Sequence, residues 1–151
     1  METNHLTKVL VVDFGSQTTQ LIIRRVREAG IYCEMVSYNL LSSYLKKYRP
    51  EAMILSGGPA SSFKKKSPKI DIRILNLGIP ILGICYGMQI ICHTLGGKVK
   101  NTNRREFGKA EIKVLKKNSL LEGVGKTKKS SQVWMSHGDE VVDLPSGFIK
   151  L

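Results

Sequence analysis

The residue best suited to covalent chemistry is Cys85, which stands between Gly83 and Gly87 where an apolar run ends. The spacing Gly-x-Cys-x-Gly is the cysteine form of the nucleophile elbow, a sharp strand-to-helix turn that holds a reactive side chain in a strained, exposed position. The N-terminus of the following helix favours the thiolate, which is the nucleophilic form. The pattern therefore predicts nucleophilic catalysis by Cys85. A cysteine after an apolar strand can also be a packing residue, and that alternative stays open.

A second chemical feature is the sequence Ser-Gly-Gly-Pro at residues 56–59, which ends a neighbouring predicted strand. Its backbone is expected at the same edge of the molecule as Cys85. Two glycines leave N–H groups uncovered, and such donors can stabilise the oxyanion that forms when a thiolate attacks a carbonyl. Another donor is expected from the N–H of Tyr86, the residue after the nucleophile. Taken alone, the Gly-Gly-Pro sequence is equally typical of an ordinary turn.

The elements that position these residues follow from the hydrophobic pattern. Short apolar runs at 8–14, 33–37, 51–55 and 80–84 predict buried strands. Helical spacing is found between them, at 19–29, 41–47 and 70–77, and again after Cys85. Strands that alternate with helices predict a parallel sheet whose site lies at the carboxyl ends of the strands.

The C-terminal third has a different pattern. Residues 111–115, 132–135 and 140–142 are typical of strands joined by turns. We therefore predict the α/β class, with a mostly parallel open sheet flanked by helices and an antiparallel extension in this last third. In the elbow helix, Met88, Ile91, Cys92 and Leu95 share one apolar face, so Cys92 is expected in the core.

Size and composition predict one globular domain at residues 8–151 after a tail at residues 1–7, since the chain has 151 residues and is 42% hydrophobic. No apolar run approaches the length of a membrane span, and the polar N-terminus is unlike a secretory signal. Three cysteines without a CxxC pair fit a reducing compartment. We expect a soluble, cytoplasmic protein that does not associate with membranes.

The formal net charge of +12 raises the question of nucleic acid or an acidic partner. The lysines gather at 64–66, 116–117 and 126–129 beside Ser, Asn, Gly or Thr, which is typical of solvated loops. We expect no nucleic-acid binding, although the charge alone leaves it open. No metal site is expected either, because no His, Asp or Glu grouping has the spacing of metal ligands.

Several motifs together resemble the class I, or triad, glutamine amidotransferases, and in particular their GMP synthase branch. The elbow and Gly-Gly-Pro mark the broader class, whereas DFGSQ, CYGMQ and WMSHGD point to the branch. The resemblance runs from about Lys8 to the end and implies a flavodoxin-like amidotransferase fold. The motifs are VVDFGSQ at 11–17, ILSGGP at 54–59, GICYGMQ at 83–89, REFG at 105–108 and VWMSHGD at 133–139.

The resemblance implies an enzyme of purine nucleotide biosynthesis, a ligase that uses glutamine as amido donor. Cys85 would attack the side-chain amide of L-glutamine, releasing ammonia and leaving a glutamyl thioester that water hydrolyses. The ammonia would pass to an ATP-pyrophosphatase domain, beyond the chain or on a separate subunit, which adenylates xanthosine monophosphate and aminates it to GMP. ATP and magnesium would belong to that synthetase part, since this chain has no GxxxxGK[ST] loop and no cofactor is expected in it. A homodimer of the full-length protein is a further expectation.

By position in the family motifs, Gly58 and Tyr86 would supply the oxyanion donors and Gly57 would lie beside the substrate. Gln89, one turn into the elbow helix, would help hold glutamine, although a glutamine on a helix surface is as often merely solvated. A polar segment after residues 132–135 would contact the amino-acid end of glutamine, although a plain turn also fits it. That segment consists of Ser136, His137, Gly138 and Asp139.

The chain departs from the family pattern in one respect. The class uses a Cys-His-Glu triad whose His and Glu lie in a His-Pro-Glu segment, and that segment is absent here. His5 lies in the N-terminal tail, His93 is eight residues after Cys85, and His137 falls in the substrate segment. We expect the triad His and Glu outside this chain, as part of a longer protein. The 151 residues alone would then be poorly active or inactive.

Two other functions remain compatible with the residues. An amidotransferase with the same elbow could feed ammonia to an anthranilate, aminodeoxychorismate or carbamoyl-phosphate synthase. A chain without its base could instead be a binding module that holds glutamine or a partner synthase without turnover.

Overall fold

A computed structural model describes residues 8–58, 67–124 and 131–151; within them, the side chains of 102–107, 136 and 137 fall outside the description. The predicted tail at 1–7 and the lysines at 64–66 and 126–129 also fall outside it. No helix within the described ranges has the length and apolar character that a membrane crossing requires.

The first part of the chain forms a four-stranded, all-parallel sheet in the order β2-β1-β3-β4. This confirms the predicted parallel sheet. The four strands are short and mostly apolar, which suits a sheet between two helical layers. The strands are β1 (Val9–Asp13), β2 (Cys33–Ser37), β3 (Ala52–Leu55) and β4 (Ile81–Gly83).

Helices connect consecutive strands and cover both faces of the sheet. The helices are α1 (Thr19–Glu28), α2 (Leu41–Leu45), α3 (Ile72–Leu75) and α4 (Tyr86–Thr94), and a 3₁₀ turn at Tyr38–Leu40 precedes α2. Side chains alternate along β1: Leu10 and Val12 belong to the larger core cluster, whereas Val11 packs in a smaller cluster with Ile23 of α1.

The C-terminal third forms a second, two-stranded antiparallel sheet of β5 (Lys98–Ile112) and β6 (Ser131–Asp143). This confirms the predicted antiparallel region but changes its boundaries. The segments predicted at 132–135 and 140–142 are parts of the one strand β6, and β5 begins well before residue 111. Turn-forming residues inside these long strands, such as Gly108 and Gly138, made them look interrupted in sequence.

The prediction that the fourth strand is buried is wrong, because β4 is the edge of the sheet. Its pairing partner is β3, and Leu82 is 38% exposed. The helix predicted at 70–77 is also shorter, with α3 limited to a single turn. Short apolar segments do not by themselves determine which strand is central and which is at the edge.

Candidate active site

Three loops meet at the carboxyl edge of the parallel sheet. They follow β1 after Asp13, β3 at Ser56–Gly58 and β4 at Cys85. The chain passes from β1 to β2 on one side and places β3 on the other side, so the strand order reverses at β1. Open α/β sheets form their ligand crevices at such reversal points.

The nucleophile elbow is present, and its centre is Cys85. This residue has φ 50° and ψ −110°, and it is the one non-glycine residue with positive φ in the described part of the chain. It is the N-cap of α4, where its carbonyl accepts a hydrogen bond from the Gln89 N–H at 3.1 Å, and its side chain is exposed. A non-glycine residue in such a sparsely populated backbone conformation costs about 1–3 kcal/mol. The thiol therefore projects into solvent from a strained turn.

The glycines on either side of Cys85 are required by close packing. A Cβ atom on Gly83 would lie 2.6 Å from the Met88 nitrogen, and one on Gly87 would lie 2.1 Å from the Leu55 carbonyl oxygen. The Gly87 N–H also donates to the Ser56 carbonyl at 3.0 Å, which fastens the elbow to the loop after β3. The first turn of α4 is thus pressed against the end of β3.

The two glycines after β3 lie directly against the elbow. A Cβ atom on Gly57 would be 3.6 Å from the Cβ of Cys85, and one on Gly58 would be 3.3 Å from the ring of Tyr86. Among the hydrogen bonds that join described residues, none uses the N–H of Gly58 or of Tyr86. The predicted oxyanion donors are therefore brought together beside Cys85, with their N–H groups uncommitted within the described chain.

The buried side chain of Tyr86 holds the elbow in place. It is 3% exposed, its hydroxyl donates to the Pro68 carbonyl, and its ring lies 5.4 Å from the ring of Phe14. Burial raises the pKa of the Tyr86 hydroxyl, while a hydrogen bond with Ser67 acts in the opposite direction. Tyr86 therefore stays neutral near pH 7, and its side chain fixes the start of α4; a role of its backbone N–H in catalysis stays a prediction.

Gln89 and Asp139 are brought together, although they bind each other in this structure. Gln89 is 6% exposed, and its Nε2 donates to the Asp139 carbonyl at 3.3 Å. The Asp139 carboxylate in turn accepts from Asn101 Nδ2 at 2.7 Å. These contacts join α4 to β6. A role in substrate binding stays a prediction for both residues.

The remaining predicted substrate residues lie in β6. Ser136 and His137 pair with β5 through their backbones, but their side chains lie outside the described residues. Gly138 follows them in the same strand, where an added Cβ would meet open space. Their contact with glutamine stays a prediction.

A large apolar groove lies between α4 and β6. Its volume is about 1150 Å³, and Cys85 is not among its lining residues, although Gln89 and Asp139 are. The apolar face predicted for the elbow helix lines it: Met88, Ile91, Cys92 and Leu95. Within that face Cys92 is 4% exposed, which confirms it as a core residue, and burial raises the pKa of its thiol.

No described histidine side chain can act as base for Cys85. His93 lies near the C-terminal end of α4, eight residues and about 12 Å of helix rise from the elbow. His5 and the side chain of His137 lie outside the described residues. The same part of the chain holds no cluster of His, Cys, Asp and Glu that could bind a metal ion.

A cluster of buried and half-buried polar residues at this edge was not predicted from the sequence. It comprises Asp13, Thr19 and Ser56, and the last two are at most 1% exposed. The Thr19 hydroxyl lies 2.8 Å from Asp13 Oδ1 and 3.0 Å from Ser56 Oγ. The sequence did contain a signal for this cluster, because Asp13 and Ser56 stand at the ends of two apolar strands where the strand order reverses.

Comparison with protein families gives one assignment over almost the whole chain. The model of the family "Glutamine amidotransferase class-I" matches residues 10–151. Curated relatives named "GMP synthase [glutamine-hydrolyzing]" include those of Phenylobacterium zucineum, 53% identical over 93% of this chain, and Bartonella quintana, 51% identical over 98%. The chain spans 27% and 29% of those two relatives.

Solved structures give the same architecture. A protein from Thermoplasma acidophilum, described as a candidate GMP synthase subunit, superposes with a TM-score of 0.72 at 32% identity, covering 94% of this chain and 70% of that one. A glutamine amidotransferase from Thermotoga maritima matches with a TM-score of 0.69 at 23% identity, over 94% of this chain and 64% of that one. The second match supports the fold alone.

Proposed function

The chain belongs to the class-I glutamine amidotransferase family, and we propose that it hydrolyses glutamine to supply ammonia for a GMP synthase. The observation that carries this proposal is the exposed Cys85, held at positive φ beside the N–H groups of Gly58 and Tyr86, which make no hydrogen bond to another residue that the structure describes. The identity to curated GMP synthases, about half of all aligned positions, supports that branch over the other amidotransferases.

The proposed reaction begins when the Cys85 thiolate attacks the side-chain amide carbon of glutamine. A sulfur–carbon bond forms, and the carbonyl π electrons move onto oxygen, where the N–H groups of Gly58 and Tyr86 stabilise the charge. Collapse of this intermediate breaks the carbon–nitrogen bond and releases ammonia once its nitrogen is protonated. Water then hydrolyses the thioester, which yields glutamate and restores the thiol. A single oxyanion donor of this kind contributes about 10²–10³-fold in rate.

The proton for the departing ammonia needs a general acid. The resemblance implies a histidine oriented by a glutamate, and His93 is too far along α4 for that role. We propose that both residues come from polypeptide outside these 151 residues. Activity therefore belongs to the native protein that contains them.

The acceptor side of the reaction is also a proposal. The curated relatives are several times longer than this chain, which spans 28% of the Brachyspira hyodysenteriae GMP synthase. We propose that a synthetase domain or subunit uses ATP and magnesium to activate xanthosine monophosphate and receives the ammonia. A cytoplasmic location and a dimeric full-length protein belong to the same proposal.

Labelling by an electrophilic glutamine analogue tests the nucleophile. We expect 6-diazo-5-oxo-L-norleucine to modify the native protein once per chain, at Cys85, and excess glutamine to protect it. Cys33 and Cys92 are internal controls because both are buried. The Cys85→Ser variant should take up no label. Modification of Cys33 or Cys92 while Cys85 stays free would overturn the assignment.

The identity of the molecule that accepts the ammonia distinguishes a GMP synthase from the alternative functions. Purified native protein should convert xanthosine monophosphate to GMP with glutamine and ATP, and it should not aminate chorismate or form carbamoyl phosphate. Glutamine binding without any ammonia release would instead identify a non-catalytic binding module. Retention on DNA at modest ionic strength would reopen nucleic-acid binding.

A further inference from the structure

We propose that Ser56 is a positioning residue that fixes the direction of the Gly58 N–H, and that Thr19 and Asp13 hold Ser56 in the required orientation. This inference rests on the proposed function, since it concerns the oxyanion donor of the same reaction. Neither the family motifs nor the pattern of the sequence assigned a role to these three side chains.

Ser56 contacts each element that builds the site. Its backbone N–H donates to the Val12 carbonyl of β1 at 3.0 Å, and its carbonyl accepts from the Gly87 N–H of the elbow at 3.0 Å. Its hydroxyl donates to the Gly57 carbonyl at 3.1 Å and accepts from the Phe14 N–H at 3.3 Å. The side chain is fully buried. Ser56 therefore connects β1, the loop at Ser56–Gly58 and the first turn of α4 through its hydrogen bonds.

The contact with Gly57 determines where the Gly58 N–H points. In a trans peptide the carbonyl of one residue and the N–H of the next lie in one plane and point in opposite directions. The Gly57 carbonyl is held inward by the buried Ser56 hydroxyl, so the Gly58 N–H of the same peptide points outward, to the side where the Cys85 thiol is exposed.

This restraint matters because the peptide joins two glycines. Glycine occupies a wider range of backbone angles than any other residue, so rotation of this peptide plane meets little steric resistance. A rotated plane would present the Gly57 carbonyl oxygen to the thiol side, where it would repel a developing oxyanion. The Ser56 hydroxyl opposes that rotation without occupying space in the site.

Thr19 and Asp13 determine the orientation of the Ser56 hydroxyl. A serine hydroxyl has one proton and two accepting positions. The N–H of Phe14 donates to Ser56 Oγ, and the one hydroxyl proton of Thr19 is shared between Ser56 Oγ and Asp13 Oδ1, so the proton of Ser56 is left for Gly57. Asp13 Oδ1 also accepts from the Gly15 N–H at 2.9 Å.

Two reactions of the Cys85 thiol can distinguish a residue that orients the oxyanion donor from one that only stabilises the fold. Hydrolysis of glutamine passes through an oxyanion, whereas alkylation by iodoacetamide displaces iodide from a saturated carbon and forms none. A residue that only supports the fold would alter both rates together. A residue that orients the oxyanion donor would lower the first rate and leave the second.

The experiment measures kcat and KM for glutamine, and the alkylation rate of Cys85, in the native protein and its variants. We expect Ser56→Ala to lower kcat about 10–100-fold, with KM and alkylation changed less than about twofold. Thr19→Val, which keeps the shape but loses the hydroxyl, should lower kcat about 5-fold, and Thr19→Ser should restore it. Ser42→Ala, on an exposed face of α2, is the matched control.

Each result has a definite meaning. Unchanged kcat in Ser56→Ala, or equal losses in hydrolysis and alkylation, would overturn the positioning role. If Ser56→Ala does not fold, the comparison of Thr19→Val with Thr19→Ser decides, because valine keeps the shape of threonine without the hydroxyl and serine keeps the hydroxyl without the methyl group. If the unmodified native protein hydrolyses no glutamine while alkylation of Cys85 proceeds, the proposed function itself fails and this inference falls with it.

Discussion

Two turns in this molecule make the same connection, from a parallel strand into a helix, in different ways. Between β1 and α1 the positive φ is adopted by Gly15, at 92°. Between β4 and α4 it is adopted by Cys85, at 50°. Glycine adopts positive φ freely, whereas the conformation of Cys85 costs about 1–3 kcal/mol. The protein therefore accepts backbone strain in one of the two turns and avoids it in the other.

The two turns also differ in the hydrogen bonds that their side chains make. In the first turn, Asp13 Oδ1 accepts from the Gly15 N–H, and Ser16 Oγ accepts from the Thr18 N–H at 3.1 Å. In the second, Cys85 makes no side-chain cap to α4. Neither helix has a side-chain cap at its N-cap residue, Thr18 or Cys85, so the difference lies in the loop before the helix, which is held by its own side chains only in the first turn. Strain and unused donors coincide where a reactive atom must be presented.

The largest expected effect comes from replacing the strained cysteine. Cys85→Ala and Cys85→Gly should each lower glutamine hydrolysis by about 10⁴-fold or more, since the nucleophile is lost. Glycine is preferred to alanine at an ordinary N-cap, and relief of the positive φ should add about 1–3 kcal/mol to that preference. Because glycine relieves the positive φ, the free energy of unfolding of Cys85→Gly should equal or exceed that of Cys85→Ala. Urea denaturation checks this, and a more stable alanine variant would show that the turn is unstrained.

The next effect concerns the close packing of the second turn against β3. Gly87→Ala would place a Cβ atom 2.1 Å from the Leu55 carbonyl oxygen, so the backbone must move. We expect a loss of about 3 kcal/mol in the free energy of unfolding. Gly138→Ala is the control, because its Cβ would meet open space at an ordinary φ, and it should change stability little. Equal effects of the two variants would contradict the packing described for the elbow.

A smaller effect is expected in the first turn. Gly15→Ala should lower the free energy of unfolding by about 1 kcal/mol, because alanine must then adopt positive φ. Gly15→Asn should lose less, since asparagine tolerates this region better. Thermal and chemical denaturation of the two variants measure the difference. An alanine variant as stable as the original would remove the contrast between the turns.

The smallest effect is expected at α3, whose N-cap residue Asp71 accepts a hydrogen bond from the backbone of the first turn. Asp71 accepts from the Arg73 N–H and pairs with its guanidinium, and the Arg73 hydrogen bonds lower the pKa of Asp71 from 3.8 to about 2. A lowered folded-state pKa adds stability above about pH 4 that is lost as pH falls towards about 2. Asp71→Asn should therefore be slightly less stable at about pH 6, and the difference should vanish near about pH 2. Denaturation across this range, at low salt, tests it; a constant difference would contradict the pairing.

Much of the fold was predictable because its signals are local. Apolar runs, helical spacing and the glycines around Cys85 gave the parallel sheet and the elbow. The edge position of β4 was not predictable in this way, because an apolar run does not record how many neighbours its strand has. Thr19 was equally hidden: its hydroxyl is buried through contacts with Asp13 and Ser56, which are distant in the chain or on another element.

The unequal burial of the three cysteines has a consequence for oxidative chemistry. Cys33 and Cys92 are enclosed in the core, whereas the sulfur of Cys85 is open to solvent. Peroxide would therefore convert Cys85 to a sulfenic acid before it reaches the other two. With both remaining thiols enclosed, no disulfide within this chain can capture that product, and its reversal depends on a small thiol from solution. The exposure that suits Cys85 to the proposed attack on an amide therefore also leaves it without a disulfide partner among these 151 residues.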